Sequence, residues 1–153
     1  MSDVPACSVD VTATLDAPCP SDELFAWVDD LSRYPAWLTI VTRADAEPDG
    51  LAWSIDLRGR LGPLARSKRL RMVRAELVPG RSAVFERSEA DGRSHSPWVL
   101  AASVEPVVGA GSRLTMRLHY GGALWGPVLE RLLVEEIERS RPALLDLVSG
   151  PTR

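Results

Sequence analysis

Residues 126–145 read GPVLERLLVEEIERSRPALL. Proline in second place suits the first turn of a helix, where a backbone N–H is not needed. Apolar residues then recur at helical spacing and form one stripe, made of Val128, Leu129, Leu132, Leu133, Ile137, Leu144 and Leu145. The segment therefore predicts a long terminal helix with one buried face. Pro142 removes a backbone donor inside it, which predicts a kink near residues 138–141.

The beginning of the chain predicts a strand followed by two short helices. Apolar side chains alternate with polar ones from Val9 to Asp16, as expected of a strand with one buried face. Ser21 suits the N-cap of a short helix, because acidic residues follow it and Leu24, Phe25, Val28 and Leu31 recur at helical spacing. Tyr34-Pro35 interrupts this pattern, and a turn or second short helix is expected to end near Trp37.

The middle of the chain predicts about six antiparallel strands. Short β-like runs begin near Ile40, and turn dipeptides separate them: Asp49-Gly50, Gly62-Pro63, Pro79-Gly80, Asp91-Gly92 and the stretch 109–111. The fold class is therefore α+β, with a curved antiparallel sheet of about seven strands. One helix covers the apolar face of such a sheet only partly, so we expect a cavity between sheet and helix.

Length and composition indicate a single domain spanning residues 1–153, with an ordered core of about 8–149. The 153 residues are 45% hydrophobic and 25% charged, which is ordinary globular usage and argues against disorder or a disulfide scaffold. The sequence shows neither a secretory leader nor an apolar run long enough to span a membrane, so we expect a cytoplasmic protein. Cys7 and Cys19 lie too far apart along an extended segment to form a disulfide, and we interpret both as free thiols.

The order of these elements resembles the START-like superfamily, also called SRPBCC or helix-grip proteins. The resemblance is carried by the opening strand leading into residues 18–25 (PCPSDELF), by residues 28–37 (VDDLSRYPAW) and by the terminal helix. It covers nearly the whole chain and implies a sheet wrapped around the last helix with an elongated hydrophobic cavity. Functions in this superfamily run from lipid transport to polyketide cyclisation and dehydration.

The turns predict which residues lie opposite one another in the sheet. A tight turn at Asp91-Gly92 places Phe85 opposite Trp98. A turn at Pro79-Gly80 places Arg74 opposite Phe85 and Met72 opposite Arg87. A loop centred on Gly109 places Tyr120 opposite Trp98. All three turns predict the same apolar face. The alternation that places Phe85 on this face also places Arg74, Glu76 and Arg87 there.

This face gives the candidate ligand-binding residues. They are apolar side chains interrupted by a few polar ones: Trp53, Ile55, Met72, Arg74, Phe85, Arg87, Ser96, Trp98, Leu100, Met116, Leu118 and Tyr120. Two inward guanidinium groups demand a partner or an anionic ligand, because an unpaired buried charge is costly. Alternatively, Arg74 and Glu76 lie at an open end of the sheet or pair with each other, or a β-bulge reverses the inward order. The tryptophans have a second interpretation as plain core residues.

Three functions are open at this point. The first is binding of a hydrophobic molecule, lipid or polyketide-like and with or without a negative charge, in the cavity between sheet and helix. The second is a polyketide cyclase or dehydrase-like enzyme that stabilises an enolate with a pocket arginine or tyrosine; no catalytic residue is assigned. The third is a regulatory or interaction protein using the basic stretch 58–74. We do not expect a nucleic-acid partner, because the net charge is -3.

The sequence suggests no cofactor or metal. His95 and His119 lie on the opposite face of the sheet from the apolar residues, and the predicted pairing separates them by roughly 13 Å along the strands. Nucleotide-binding and nucleophile motifs are missing. The pattern leaves the oligomeric state open.

Overall fold

The computed structural model describes residues 9–61, 64–109, 111–121 and 126–149. Strand β1 (Val9–Ala17) is followed by a short helix α1 (Ser21–Phe25) and a 3₁₀ helix η1 (Leu31–Ala36). Six further strands come next, and the chain continues into a long helix, α2 (Gly126–Ser149). The strands are β2 (Val41–Ala46), β3 (Ala52–Leu61), β4 (Leu64–Val78), β5 (Ser82–Arg87), β6 (Trp98–Pro106) and β7 (Ser112–Tyr120).

The seven strands form one antiparallel sheet in the order β1-β7-β6-β5-β4-β3-β2. Apart from the pairing of β1 with β7, each strand neighbours the strand next to it in sequence, as in a meander. The predicted α+β fold, with a curled sheet, two short helices after the first strand and a C-terminal helix, is confirmed. None of the helices in the described part of the chain is long and apolar enough to cross a membrane.

Most of the predicted strand pairing is correct, and one hairpin is not. Met72 faces Arg87, and Tyr120 faces Trp98, as the turns predict. Phe85, however, faces Leu100 rather than Trp98. Residues 88–97 form no strand, so Asp91-Gly92 belongs to a longer irregular connection instead of a two-residue hairpin. The pairing of β5 with β6 is shifted by two residues, which keeps the same side chains on the same face.

The prediction that Glu76 points inward is wrong, because β4 contains a β-bulge. Arg74 faces Phe85, but the register shifts before Glu76, which faces Val84. An extra residue in one strand reverses the inward and outward order beyond it. Glu76 is accordingly exposed, whereas the guanidinium of Arg74 reaches inward and donates to the backbone oxygen of Asp29 over 3.0 Å.

The 3₁₀ helix η1 closes one part of the curled sheet. Tyr34 is fully buried, lies 4.9 Å from the ring of Trp37 and 6.5 Å from the ring of Phe85, and donates its hydroxyl proton to the backbone oxygen of Val28. Phe85 in turn meets Trp53 edge-on at 5.6 Å. Edge-to-face packing of this kind adds about 0.5–1.5 kcal/mol per pair beyond the burial of area. Tyr34 and Pro35 both belong to η1. The ring contacts show that this part of the interior is a packed aromatic core.

The long helix α2 lies across the open side of the sheet, from β3 to β1. Near the beginning of α2, Leu132 packs directly against Gly59 of β3. A Cβ added at position 59 would lie 2.5 Å from Leu132 Cδ2, so a larger residue there would clash with Leu132. Near its end, Arg141 donates to the backbone oxygen of Thr14 on β1. The helix continues through Pro142. Between these two anchors, α2 spans the concave face without filling all of it.

Candidate functional site

A cleft lies between the β1–β7–β6 side of the sheet and the second half of α2. The space in it that the centre of a water-sized molecule can reach is about 70 Å³. The floor is made of apolar side chains from three adjacent strands: Val11, Ala13, Leu15, Leu100, Leu114, Met116 and Leu118. That space has room for several water molecules, and a longer apolar ligand would extend from it through the open mouth.

The middle of the cleft floor carries a small side chain, Ala13. Ala13 on β1 pairs with Met116 on β7, which pairs with Ala102 on β6. On either side of this row the cross-strand partners are larger, such as Leu15 with Leu114. Ala102 is buried and lies outside the lining, so Ala13 is the small side chain that lowers the floor between Val11 and Leu15.

Helix α2 and the end of η1 form the facing wall. Ile137, Ser140, Arg141 and Leu144 lie on one stripe of α2, at the three- and four-residue spacing that puts helical side chains on a common face. Trp37 and Leu38 complete the wall. The Trp37 ring is held from behind, since its N–H donates to the backbone oxygen of Trp27 over 3.1 Å.

Polar groups gather at the β1 side of the cleft. Arg141 donates from Nε to the carboxylate of Glu138, over 3.1 Å, and from Nη1 to the backbone oxygen of Thr14. The buried hydroxyl of Ser140 donates to the backbone oxygen of Ile137 over 2.7 Å. The rest of the lining is apolar, so the cleft has one charged margin and a hydrophobic interior.

A buried carboxylate on α2 lies outside this lining. Glu136 is buried and accepts hydrogen bonds from the hydroxyl of Thr39 and, over 2.7 Å, from Arg139. The Thr39 contact ties α2 to the connection between η1 and β2, while Arg139, on α2 itself, balances the charge of the buried carboxylate.

Three of the twelve sequence-predicted ligand residues line this cleft: Leu100, Met116 and Leu118. Trp53, Ile55, Met72 and Phe85 are buried in the core formed with η1. A role of these four in ligand binding stays a prediction. The same holds for the remaining five: Arg74, Arg87, Ser96, Trp98 and Tyr120.

The two inward arginines both have protein partners. Arg74 lies over the Trp53 ring, 6.0 Å from its centroid, in addition to its contact with Asp29. Arg87, whose side chain is 7% exposed, donates to Glu89 over 2.7 Å and to the backbone oxygen of Ser96 over 3.3 Å. Neither guanidinium therefore needs an anionic ligand to compensate its burial.

The Arg87–Glu89 pair stabilises the irregular segment 88–97. Burial acts to raise the pKa of Glu89, but the hydrogen bonds from Arg87 and from the backbone N–H of Arg71 outweigh it and leave the pKa lowered. Arg87 also contacts His95 over 3.3 Å, and His95 reaches Asp91 over 2.9 Å. This chain of polar contacts replaces the strand hydrogen bonds that the segment lacks.

Trp98 and Tyr120 form a pair at the end of the sheet, one row beyond the cleft floor. Their ring centroids lie 4.7 Å apart. The indole N–H of Trp98 is buried and has no acceptor among the described residues. A buried donor without a partner costs about 1–3 kcal/mol, so this position would favour a water molecule or a ligand oxygen. Trp125 lies outside the described residues.

The basic stretch 58–74 is at least partly neutralised by its neighbours. Arg69 forms a two-pronged contact with Asp56 on the adjacent strand, at 2.7 and 3.3 Å. Arg71 contacts Glu47 in the same way, at 2.7 and 3.1 Å. Each arginine holds the pKa of its partner carboxyl below the usual range. These pairs support the structural interpretation of the basic stretch over an interaction surface.

Possible metal ligands and a thiol occur in the described part of the chain. Its His, Cys, Asp and Glu side chains form no group of three or more that could hold a metal ion. Cys19 is a buried free thiol, and burial, together with the nearby Glu23, raises its pKa. Cys7 lies outside the described residues.

Sequence reasoning missed eleven of the fourteen cleft residues, and three of these are polar: Thr14, Ser140 and Arg141. Ile137 and Leu144 belonged to the predicted apolar stripe, and positions 140 and 141 fall between them on the same face of a helix. That spacing could have identified both residues. Thr14 offered no such indication, because it alternates with the buried positions of β1 and contacts α2 through its backbone oxygen.

Comparison with known proteins agrees with this architecture. The family model described as "Polyketide cyclase / dehydrase and lipid transport" matches residues 8–146. A START superfamily protein from Mycobacterium smegmatis has a similar structure, with a TM-score of 0.70 and 18% identity over 94% of this chain and 99% of that one. The Zhui aromatase/cyclase from a Streptomyces species is also similar, with a TM-score of 0.70 and 12% identity over 95% of this chain and 96% of that one. No curated protein sequence matches the chain.

Proposed function

The chain belongs to the polyketide cyclase/dehydrase and lipid transport family, and we propose that it binds an elongated hydrophobic small molecule in the cleft between β1, β7, β6 and α2. The molecule would lie along the strands, over the low row at Ala13 and Met116. Its binding would be driven mainly by burial of apolar surface, worth about 25 cal/mol per Å² removed from water.

One observation carries this proposal. Leu100, Met116 and Leu118 point toward the core side of the sheet, yet each stays partly accessible because α2 does not close over them. Apolar side chains that face the interior and still meet open space form a surface that an apolar ligand would cover.

Filling the cleft tests the proposal. The probe is N-phenyl-1-naphthylamine, an uncharged dye whose fluorescence rises in apolar surroundings. We expect the unaltered protein to bind it and Ala13→Phe to weaken binding at least about tenfold, because the new ring would occupy the lowest part of the floor. Ala101→Phe is the matched control, since Ala101 lies on the same sheet and alternates with the cleft-side residues of β6.

Two results would overturn the proposal. One is a failure of the unaltered protein to bind any apolar probe. The other is equal loss of binding in Ala13→Phe and Ala101→Phe, which would attribute the effect to general destabilisation. Thermal unfolding of both variants checks that they remain folded.

A second candidate function is polyketide cyclase-like catalysis. It is favoured by the buried indole N–H of Trp98 beside the Tyr120 ring, one row from the cleft floor. A phenol next to an unsatisfied donor could hold an enolate oxygen and exchange a proton with it. In this candidate the apolar cleft would fold the substrate, and Tyr120 would be the residue touching the reacting atoms.

A further inference from the structure

The charged margin of the cleft narrows the class of ligand. Building on the proposed function, we infer that the cleft takes an amphipathic molecule with a carboxylate head, and that Arg141 binds this head. The inference concerns only the end of the ligand. The apolar binding surface described above would remain even if the inference were wrong.

The guanidinium of Arg141 has one edge available. Nε donates to Glu138 and Nη1 donates to the backbone oxygen of Thr14, while Nη2 has no acceptor among the described residues. These two contacts fix the plane of the group at the mouth of the cleft. A guanidinium so held offers a directed, charge-assisted donor, which suits a carboxylate better than a neutral hydroxyl.

Glu138 does not neutralise this site completely. Its side chain is 62% exposed, and that of Arg141 is 33% exposed. An ion pair this open to water contributes only about 0–1 kcal/mol, so a ligand carboxylate can share the guanidinium without a large loss.

The other polar lining groups are consistent with an acidic head. The only proton of the Ser140 hydroxyl is committed to the backbone oxygen of Ile137, at 2.7 Å. Thr14 lines the cleft through its backbone, because its exposed side chain lies on the other face of β1 from Ala13 and Leu15. Among these three lining residues, Arg141 alone therefore offers a side-chain donor to a ligand, at the β1 side, and the apolar tail would extend from there over Ala13 toward Leu118.

A pair of ligands that differ only in charge tests the inference. Dodecanoate and its methyl ester would each displace N-phenyl-1-naphthylamine from the unaltered protein and from Arg141→Gln, in mildly alkaline buffer. We expect Arg141→Gln to weaken dodecanoate about three- to tenfold, less than for a buried charged hydrogen bond because the site is partly exposed. Binding of the ester should stay within about twofold.

Two further variants separate ligand recognition from a structural role. Arg131→Gln removes the same charge from an exposed position of the same helix and should leave both ligands unaffected. Glu138→Gln frees the guanidinium from its competing carboxylate and should strengthen dodecanoate about two- to threefold. A purely structural Arg141 would not give that gain.

The outcomes distinguish this inference from the proposed function. If the unaltered protein binds neither ligand nor probe, the proposed function itself fails. If both ligands bind and Arg141→Gln weakens them equally or not at all, the carboxylate inference is wrong and the apolar site stands. Should Arg141→Gln unfold, Glu138→Gln alone decides, because unchanged dodecanoate affinity in that variant contradicts the inference.

Discussion

Gly59 lies against the Leu132 side chain of α2, and replacing it tests the placement of that helix. A Cβ at position 59 would lie 2.5 Å from Leu132 Cδ2, 3.1 Å from Cδ1 and 3.2 Å from Cγ. Ordinary carbon contacts are about 3.5–4.0 Å, so the leucine or the helix has to move by about 1 Å.

The expected cost follows from two opposing terms. Overpacking of this kind costs about 1–3 kcal/mol. Replacing a glycine inside a strand returns about 0.5–1 kcal/mol through lower chain entropy in the unfolded state. Because the end of the Leu132 side chain can turn aside, we expect Gly59→Ala to lower the free energy of unfolding by about 0–2 kcal/mol, measured by urea denaturation followed through tryptophan fluorescence.

A double-mutant cycle makes this prediction specific. Leu132→Ala removes the atoms that the new Cβ would meet, so the double variant should be about 1–2 kcal/mol more stable than the sum of the single effects predicts. Leu133→Ala is the control: it is buried on the same helix, and its effect should simply add to that of Gly59→Ala. Additive effects with Leu132→Ala would refute the packing described between β3 and α2.

Two further predictions concern the sheet end near Arg87. Glu89→Gln should lower the free energy of unfolding by about 1–2 kcal/mol at neutral pH, because it removes a charged partner from Arg87. The folded-state pKa of Glu89 is lowered, so this contribution is present above the ordinary glutamate value and is lost as the pH falls through the folded value. Unfolding measured at neutral pH and near pH 3 should therefore show the difference shrinking in acid; a constant difference would contradict the assignment. Tyr120→Phe should reduce turnover of a poly-β-ketone analogue about a hundredfold if the phenol transfers a proton, with probe affinity unchanged. Unaltered turnover would remove Tyr120 from the enzyme candidate.

The strand pattern was predictable wherever one face of the sheet is buried. Alternation in β1 and the turns near Gly109 and Pro79-Gly80 set a pairing that the structure reproduces at Trp98–Tyr120 and Met72–Arg87. A slip by one residue would have exposed a whole apolar face, so the sequence constrains this choice strongly.

Other features depended on contacts that no local pattern reveals. The bulge that turns Glu76 outward follows from how β4 meets β5, and the shift at Phe85 follows from a connection stabilised by Arg87 and Glu89. The location of the cleft depended on how α2 is rotated over the sheet. That rotation is set by the close contact at Gly59 and the anchor at Thr14, which bring together residues far apart in sequence.

The pairing of β1 with β7 also determines when the cleft can form during synthesis. Val9 on β1 pairs with Tyr120 on β7, so β1 can form its hydrogen bonds only after the other six strands have been synthesised. The opposite wall belongs to α2, which is translated later still. Contacts between such distant parts of a chain form slowly, because the entropy of closing a large loop is lost before the contacts contribute any stabilising free energy. A ribosome-bound chain that still lacks α2 would therefore leave the apolar floor exposed to water, and the cleft would be complete only after the last helix has docked.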